Sequence, residues 1–144
     1  MKRFIWCVSV LLVISICLSL PANAVTEVEP RGSDYFMASS TYIDVYGTRL
    51  EIWFDITAVG MMDKLGVNSI EVQRSTDRVN WTSMHTYDSS LYSGFIDTNT
   101  SAHAGYISYY GTSGYYYRAC VEYYAKKGTG SALMTEYSSS VLCG

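Results

Sequence analysis

Tyr116-Tyr117-Arg118-Ala119-Cys120-Val121-Glu122-Tyr123-Tyr124-Ala125-Lys126-Lys127-Gly128-Thr129-Gly130-Ser131-Ala132-Leu133-Met134-Thr135-Glu136-Tyr137 is the stretch on which the fold turns. Its first arm alternates. Tyr117, Ala119, Val121, Tyr123 and Ala125 share one side, and Tyr116, Arg118, Cys120, Glu122 and Tyr124 share the other. A period of two is that of an extended strand, whose successive side chains point to opposite faces. Arg118 and Glu122 identify the wet face, because an isolated charge is expensive to bury. Lys126 to Gly130 supplies the turn, so the whole stretch reads as a β-hairpin. With Ala125 opposite Ser131, Cys120 faces Glu136 and Cys143 lies seven residues farther along. At roughly 3.3 Å per residue that is about 23 Å, beyond the reach of a disulfide. Two free or separately buried thiols are expected.

Upstream, Thr48 to Ala58 alternates in the same way, with Leu50, Ile52, Phe54, Ile56 and Ala58 facing Glu51, Trp53, Asp55 and Thr57 across the strand. Val59 to Gly66 interrupts that pattern. A further strand is expected over 68–75, with Ile70 and Val72 inward. Ser75 to Asn80 reads as a turn in which Asp77 and Asn80 bond nearby backbone amides. Trp81, packed on the core, then opens a strand running to about Tyr87, on which it shares a face with Ser83, His85 and Tyr87. Residues 88–99, rich in Ser, Thr, Asp and Gly, read as loops with a short strand, 104–110 as a strand, and 35–46 as a broken first strand. Seven short strands between turn residues, two prolines and no helical period indicate one all-β domain. The expected fold is a single antiparallel β-sandwich of immunoglobulin/fibronectin-III type, with a jelly roll or small closed barrel as the runner-up.

Met1-Lys2-Arg3 is positive, Phe4 to Leu20 is apolar or small, and Pro21-Ala22-Asn23-Ala24 offers small residues at Ala22 and Ala24. That order is the pattern of a signal peptide, expected as a helix over 1–24 and cleaved after Ala24. Seventeen apolar residues fall short of the ~20 that usually span a bilayer. A flexible lead over 25–34 and a folded domain over 35–144 follow, in a secreted, extracellular protein without membrane attachment after cleavage. Cys7 and Cys17 leave with the leader, and Cys120 and Cys143 remain. Loss of Lys2 and Arg3 moves the formal charge from −3 to −5. No basic cluster exceeds Lys126-Lys127, which argues against nucleic-acid binding, an affinity built from many Lys and Arg contacts.

The run Thr57-Ala58-Val59-Gly60-Met61-Met62-Asp63-Lys64-Leu65-Gly66, then Ile70-Glu71-Val72-Gln73-Arg74-Ser75, Asp77 and Trp81, resembles small secreted proteins of Gram-positive Firmicutes. The tail from Tyr116 through Tyr123-Tyr124-Ala125 to Ser138-Ser139-Ser140-Val141 is similar to theirs too. The resemblance covers roughly residues 35 to 142. It implies a fibronectin-III-like architecture and an extracellular location, and it brings no catalytic residue. Ser75-x-Asp77 with Trp81 also resembles the Asp-box hairpin of sialidases. Val79 replaces that motif's glycine and Trp81 arrives one position early, so the segment is read as a structural hairpin.

Catalysis needs a nucleophile beside a base, or paired acids in a pocket. Only His85 and His103 are present, the second read as lying in a loop between small residues, and neither stands in a nucleophile motif. A noncatalytic protein is expected. No His or Cys spacing suits zinc and no loop matches an EF-hand, so Asp88 and Asp97 are read as solvated acids, with neither metal nor cofactor. The 14 tyrosines are the feature that invites a binding function, since a rigid ring with a hydroxyl suits binding surfaces. Tyr116, Arg118, Glu122 and Tyr124 on the hairpin's wet face rank first. Outward-facing Trp53 belongs to the opposite sheet and cannot join them. The expected partner is a cell-wall polymer, a glycan or an extracellular protein. The alternative is a structural envelope protein that self-associates through its strand edges.

Overall fold

The computed structural model describes residues 34–144. The leader, its cleavage residues Ala22 and Ala24, and the lead up to residue 33 lie outside the described residues. What is described is all-β, one antiparallel sheet of seven strands that curls around its own core. The strands are β1 (Phe36–Tyr46), β2 (Arg49–Ser75), β3 (Thr82–Asp88), β4 (Ile96–Tyr110), β5 (Tyr116–Lys127), β6 (Gly130–Tyr137) and β7 (Val141–Leu142).

β2 organises the rest. Its first half lies between β1 and the second half of β4, its middle pairs with the start of β4 and the end of β5, and its last third lies between β3 and β5. The interruption read at Val59 to Gly66 is therefore not a break between strands, because β2 runs through it as 27 continuous residues. Irregular register absorbs the change of direction, with shifts between Thr57 and Met62 against β4 and between Val67 and Ser69 against β5. Gly66 is required within this bend. A Cβ there would lie 2.0 Å from the Phe95 carbonyl oxygen, the atom that accepts the Val67 N–H.

The alternating residues behave as their pattern demands. Leu50, Ile52, Phe54, Ile56 and Ala58 of β2 are buried with Tyr117, Ala119, Val121, Tyr123 and Ala125 of β5, and Leu65, Val67, Ile70 and Val72 extend the same core. Across that core the Tyr123 hydroxyl donates to the Ser40 carbonyl and shares a hydrogen bond with Thr41 Oγ1 at 2.8 Å. β1 and β5, which are not ladder neighbours, are tied together in this way.

Several sequence expectations are corrected. The final hairpin pairs Ala125 with Ala132 and Cys120 with Tyr137, one residue out from the expected register, because a two-residue turn with Gly128 at φ 59° closes it. β1 runs unbroken from Phe36, with a register shift near its start. β4 begins at Ile96, eight residues before the strand expected over 104–110, and takes in the last four residues of the expected loop region, while 89–95 stay outside the strands. In β3 the register slips between Val72 and Gln73, leaving Met84 unpaired. Ser83 is thereby set apart from His85 and Tyr87 in the face it presents, a flip that period-two reading cannot anticipate. After Ser138 the chain continues in the same direction along β5 with a one-residue offset, and β7 pairs with the start of β5, bringing Cys143 N to the Tyr115 carbonyl. Cys120 and Cys143 are both free, and burial pushes the Cys143 thiol pKa up.

Candidate binding site

Two outer faces carry aromatic side chains. The first is the predicted one. Arg118 lies between two rings, its guanidinium carbon 4.3 Å from the Trp81 ring centre and 4.7 Å from that of Tyr137, while its Nε donates to Gln73 Oε1 at 2.7 Å. Tyr116 is covered by Arg78, at 4.3 Å from the ring centre, with Nη2 3.3 Å from the hydroxyl. Glu122 Oε1 accepts from Asn68 Nδ2 at 2.5 Å. Tyr124, half-buried, sits between Gly66 and Leu133 in the ladder. Trp81 therefore packs on Arg118 at the outer face, not on the core as expected from sequence.

The turn before Trp81 builds this layer. Asp77 Oδ1 accepts from the Val79 and Asn80 amides, each at 2.8 Å, and from Ser75 Oγ, while Oδ2 accepts from Asn80 Nδ2. These bonds, the Asn80 amide first, hold the Asp77 carboxyl far below its ordinary pKa. Arg78 is fixed at φ 60°, and from there its guanidinium reaches Tyr116.

The second face belongs to β1, β2 and β4. Register places Tyr42, Trp53 and Tyr106 in one row across three strands. The rings stack, Tyr42 on Trp53 with centres 6.1 Å apart at 6°, and Trp53 on Tyr106 at 4.6 Å and 29°. Tyr42 is 46% and Tyr106 53% exposed. Trp53 Nε1 is buried without a hydrogen-bond partner. One row along stand Asp44, Glu51 and Ser108, and beyond them Tyr46, Arg49 and Tyr110. Asp55, exposed, lies on the other side of the aromatic row. Arg49 is the only cation in these rows, 3.1 Å from Glu51 and 5.2 Å from the Tyr46 ring centre. The face therefore presents aromatic rings and carboxylates together.

Of its residues, sequence reasoning had selected only Trp53. The alternations Tyr42-Asp44-Tyr46 and Ala104-Tyr106-Ser108-Tyr110 were visible, but the register that brings them beside Trp53 was not. Conversely, the four hairpin residues do share one outer face, yet intramolecular partners already hold Tyr116, Arg118 and Glu122.

His103 is buried in β4, contrary to its reading as a loop residue, with its ring stacked on Phe54 and Nδ1 2.9 Å from Asp97 Oδ2. A general base must reach the proton it removes, and its Nε2 is buried without a partner. The pair instead anchors the start of β4 to its second half. The Ser90 hydroxyl first, and then the Ser90 amide, 2.8 Å from Asp88 Oδ1, lower the Asp88 carboxyl pKa. Among the described residues no three His, Cys, Asp or Glu side chains converge on a metal site.

Compared with protein families, curated proteins and solved structures, the chain matches none.

Proposed function

We propose that this protein is a secreted, noncatalytic binding module whose outer face of β1, β2 and β4 holds a glycan of the cell envelope or its surroundings. The observation that carries the reading is the Tyr42, Trp53, Tyr106 row flanked by Asp44, Glu51 and Asp55. Sugar rings offer apolar C–H faces to aromatic side chains and hydroxyls to carboxylate acceptors, and this face supplies both on rigid strands. Strands hold such groups more firmly than loops do, which reduces the ordering cost of binding.

The architecture we assign is an immunoglobulin/fibronectin-III-like sandwich. One sheet is β1, the first half of β2, and β4. The other is β3, the last third of β2, β5 and β6. The pairing along β2 and the Tyr123 to Thr41 bond between the two layers support it. The leader pattern of residues 1–24 supports export.

Purified protein sedimented with insoluble peptidoglycan and a panel of polysaccharides tests the reading. Retention is expected for at least one polymer, lost in a Tyr42→Ala, Tyr106→Ala variant and kept in Tyr116→Ala, Tyr124→Ala. The opposite pattern would move the site to the hairpin face. Failure of the unaltered protein to bind any polymer would remove the glycan reading.

A further inference from the structure

We propose that the free edge of β4 pairs antiparallel with the same edge of a second copy of this chain, about a two-fold axis through Tyr106. β4 is bonded to β2 on one side only. The Gly111 amide donates to the Thr48 carbonyl, one step beyond the Arg49 to Tyr110 pair. Bonded and non-bonded pairs alternate in an antiparallel ladder. The odd-numbered residues of this half of β4 therefore bond to β2, and Ala102, Ala104, Tyr106, Ser108 and Tyr110 turn their N–H and C=O groups to the open side. From that side two hydroxyls reach them: that of Tyr87 donates to the Ser108 carbonyl at 3.3 Å, and Thr100 Oγ1 donates to the Ala102 carbonyl at 2.7 Å and accepts from its N–H at 3.3 Å, so the free groups centre on Ala104 and Tyr106.

Open strand edges are templates for pairing, and proteins blunt them with charges, prolines, bulges or inward-pointing charged residues. The other edges carry such devices. β1 has its register shift and Asp44, β3 has the Met84 bulge, and β6 turns Glu136 inward, with Oε2 buried and unpartnered. From Ala102 to Tyr110 there is no Asp, Glu, Lys or Arg, no proline and no bulge, and the one ionisable ring, His103, turns inward to Asp97.

The register follows from geometry. A two-fold axis across antiparallel strands keeps each side chain on its own face when it passes through a residue, and Tyr106 is the centre of 102–110. With the axis there, Tyr106 meets Tyr106 of the second copy as a bonded pair, Ala104 meets Ser108, Ala102 meets Tyr110 and Gly105 meets Ile107. A groove of about 370 Å³, lined by Phe54, Leu91, Tyr92, Phe95, Gly105 and Ile107, opens where Ile107 of the second copy arrives. Leu91, 80% exposed, stands at its rim. The two aromatic rows then join into one row of six rings. This pairing does not depend on what the face binds.

The test is sedimentation velocity of the purified protein over a range of concentrations, with two cysteine variants oxidised in parallel. Tyr106→Cys is expected to give a covalent dimer, because facing residues on antiparallel strands lie about 5 Å apart, within disulfide range. Ala104→Cys is not, because its two copies would be four residues out of register, roughly 13 Å. An Ala104→Lys, Ser108→Lys variant, whose fold is checked by circular dichroism, sets lysines against each other and weakens the dimer about tenfold. Mixing that variant with Ala104→Glu, Ser108→Glu restores it, because each lysine then faces a glutamate. A monomer at every concentration, or crosslinking of Ala104→Cys as readily as of Tyr106→Cys, would overturn the proposal.

Discussion

The two aromatic faces differ in where their arginines stand. On the β5 face, Arg118 and Arg78 lie over Trp81, Tyr137 and Tyr116, so each ring already has a cation and each guanidinium is already engaged. On the β1, β2, β4 face the rings stack on one another, and the single arginine stands at one end beside Glu51 and Tyr46. The same residue types thus give a closed, self-satisfied surface in one place and an open one in the other. An outward tyrosine is informative about binding only once its intramolecular partner is known.

The largest expected effect comes where the strand shared by both faces bends. Gly66→Ala drives a methyl group into the Phe95 carbonyl oxygen, 2.0 Å from the ideal Cβ. It should lower unfolding free energy by about 3 kcal/mol or more, read as a lower urea midpoint. A variant with the midpoint of the unaltered protein would show that the two halves are not held in register at this point.

Next is the closed face. Arg118→Ala removes two cation–π contacts and the bond to Gln73, and should destabilise by about 1–2 kcal/mol. Arg118→Lys should recover only part of this, because an ammonium lacks the planar group that lies between two rings. If Arg118→Ala leaves stability unchanged, the contrast between closed and open faces loses its energetic basis.

The smallest effect concerns the tie between β1 and β5. Burial first, and Glu136 next, push the Tyr123 pKa up from its ordinary value to about 12, against the hydrogen bond from Thr41. A phenol with a raised folded-state pKa keeps its neutral form longer when folded than when unfolded. Its contribution is therefore complete below about pH 10, the unfolded value, and is lost as pH rises through about 12. Tyr123→Phe should lower stability at neutral pH by about 1 kcal/mol and flatten the alkaline fall in a pH series of denaturation midpoints. An unchanged alkaline slope would place that titration elsewhere.

Much of the fold was legible because charge and alternation act locally. Leu50 to Ala58 and Tyr117 to Ala125 bury as their period requires. The continuity of β2 was hidden because Val59 to Gly66 holds its path through register shifts against partners some thirty to sixty residues away in sequence. The Met84 bulge reversed Ser83 relative to His85, and a bulge leaves no mark on a period-two pattern. The open face was half legible. Trp53 points outward by parity, but its neighbours Tyr42 and Tyr106 are set by register, which belongs to pairing and not to any one strand.

β2 draws its lateral partners, apart from β1 and β3, from residues 96–126. A ribosome will have released little more than the β1–β2 hairpin as a closed unit when most of the chain is made, and such a hairpin is marginal in water. Closure of the core is thus a late event that waits for β5. On the secreted reading proposed above, this timing keeps the polypeptide a loose thread for as long as threading through a translocation channel requires.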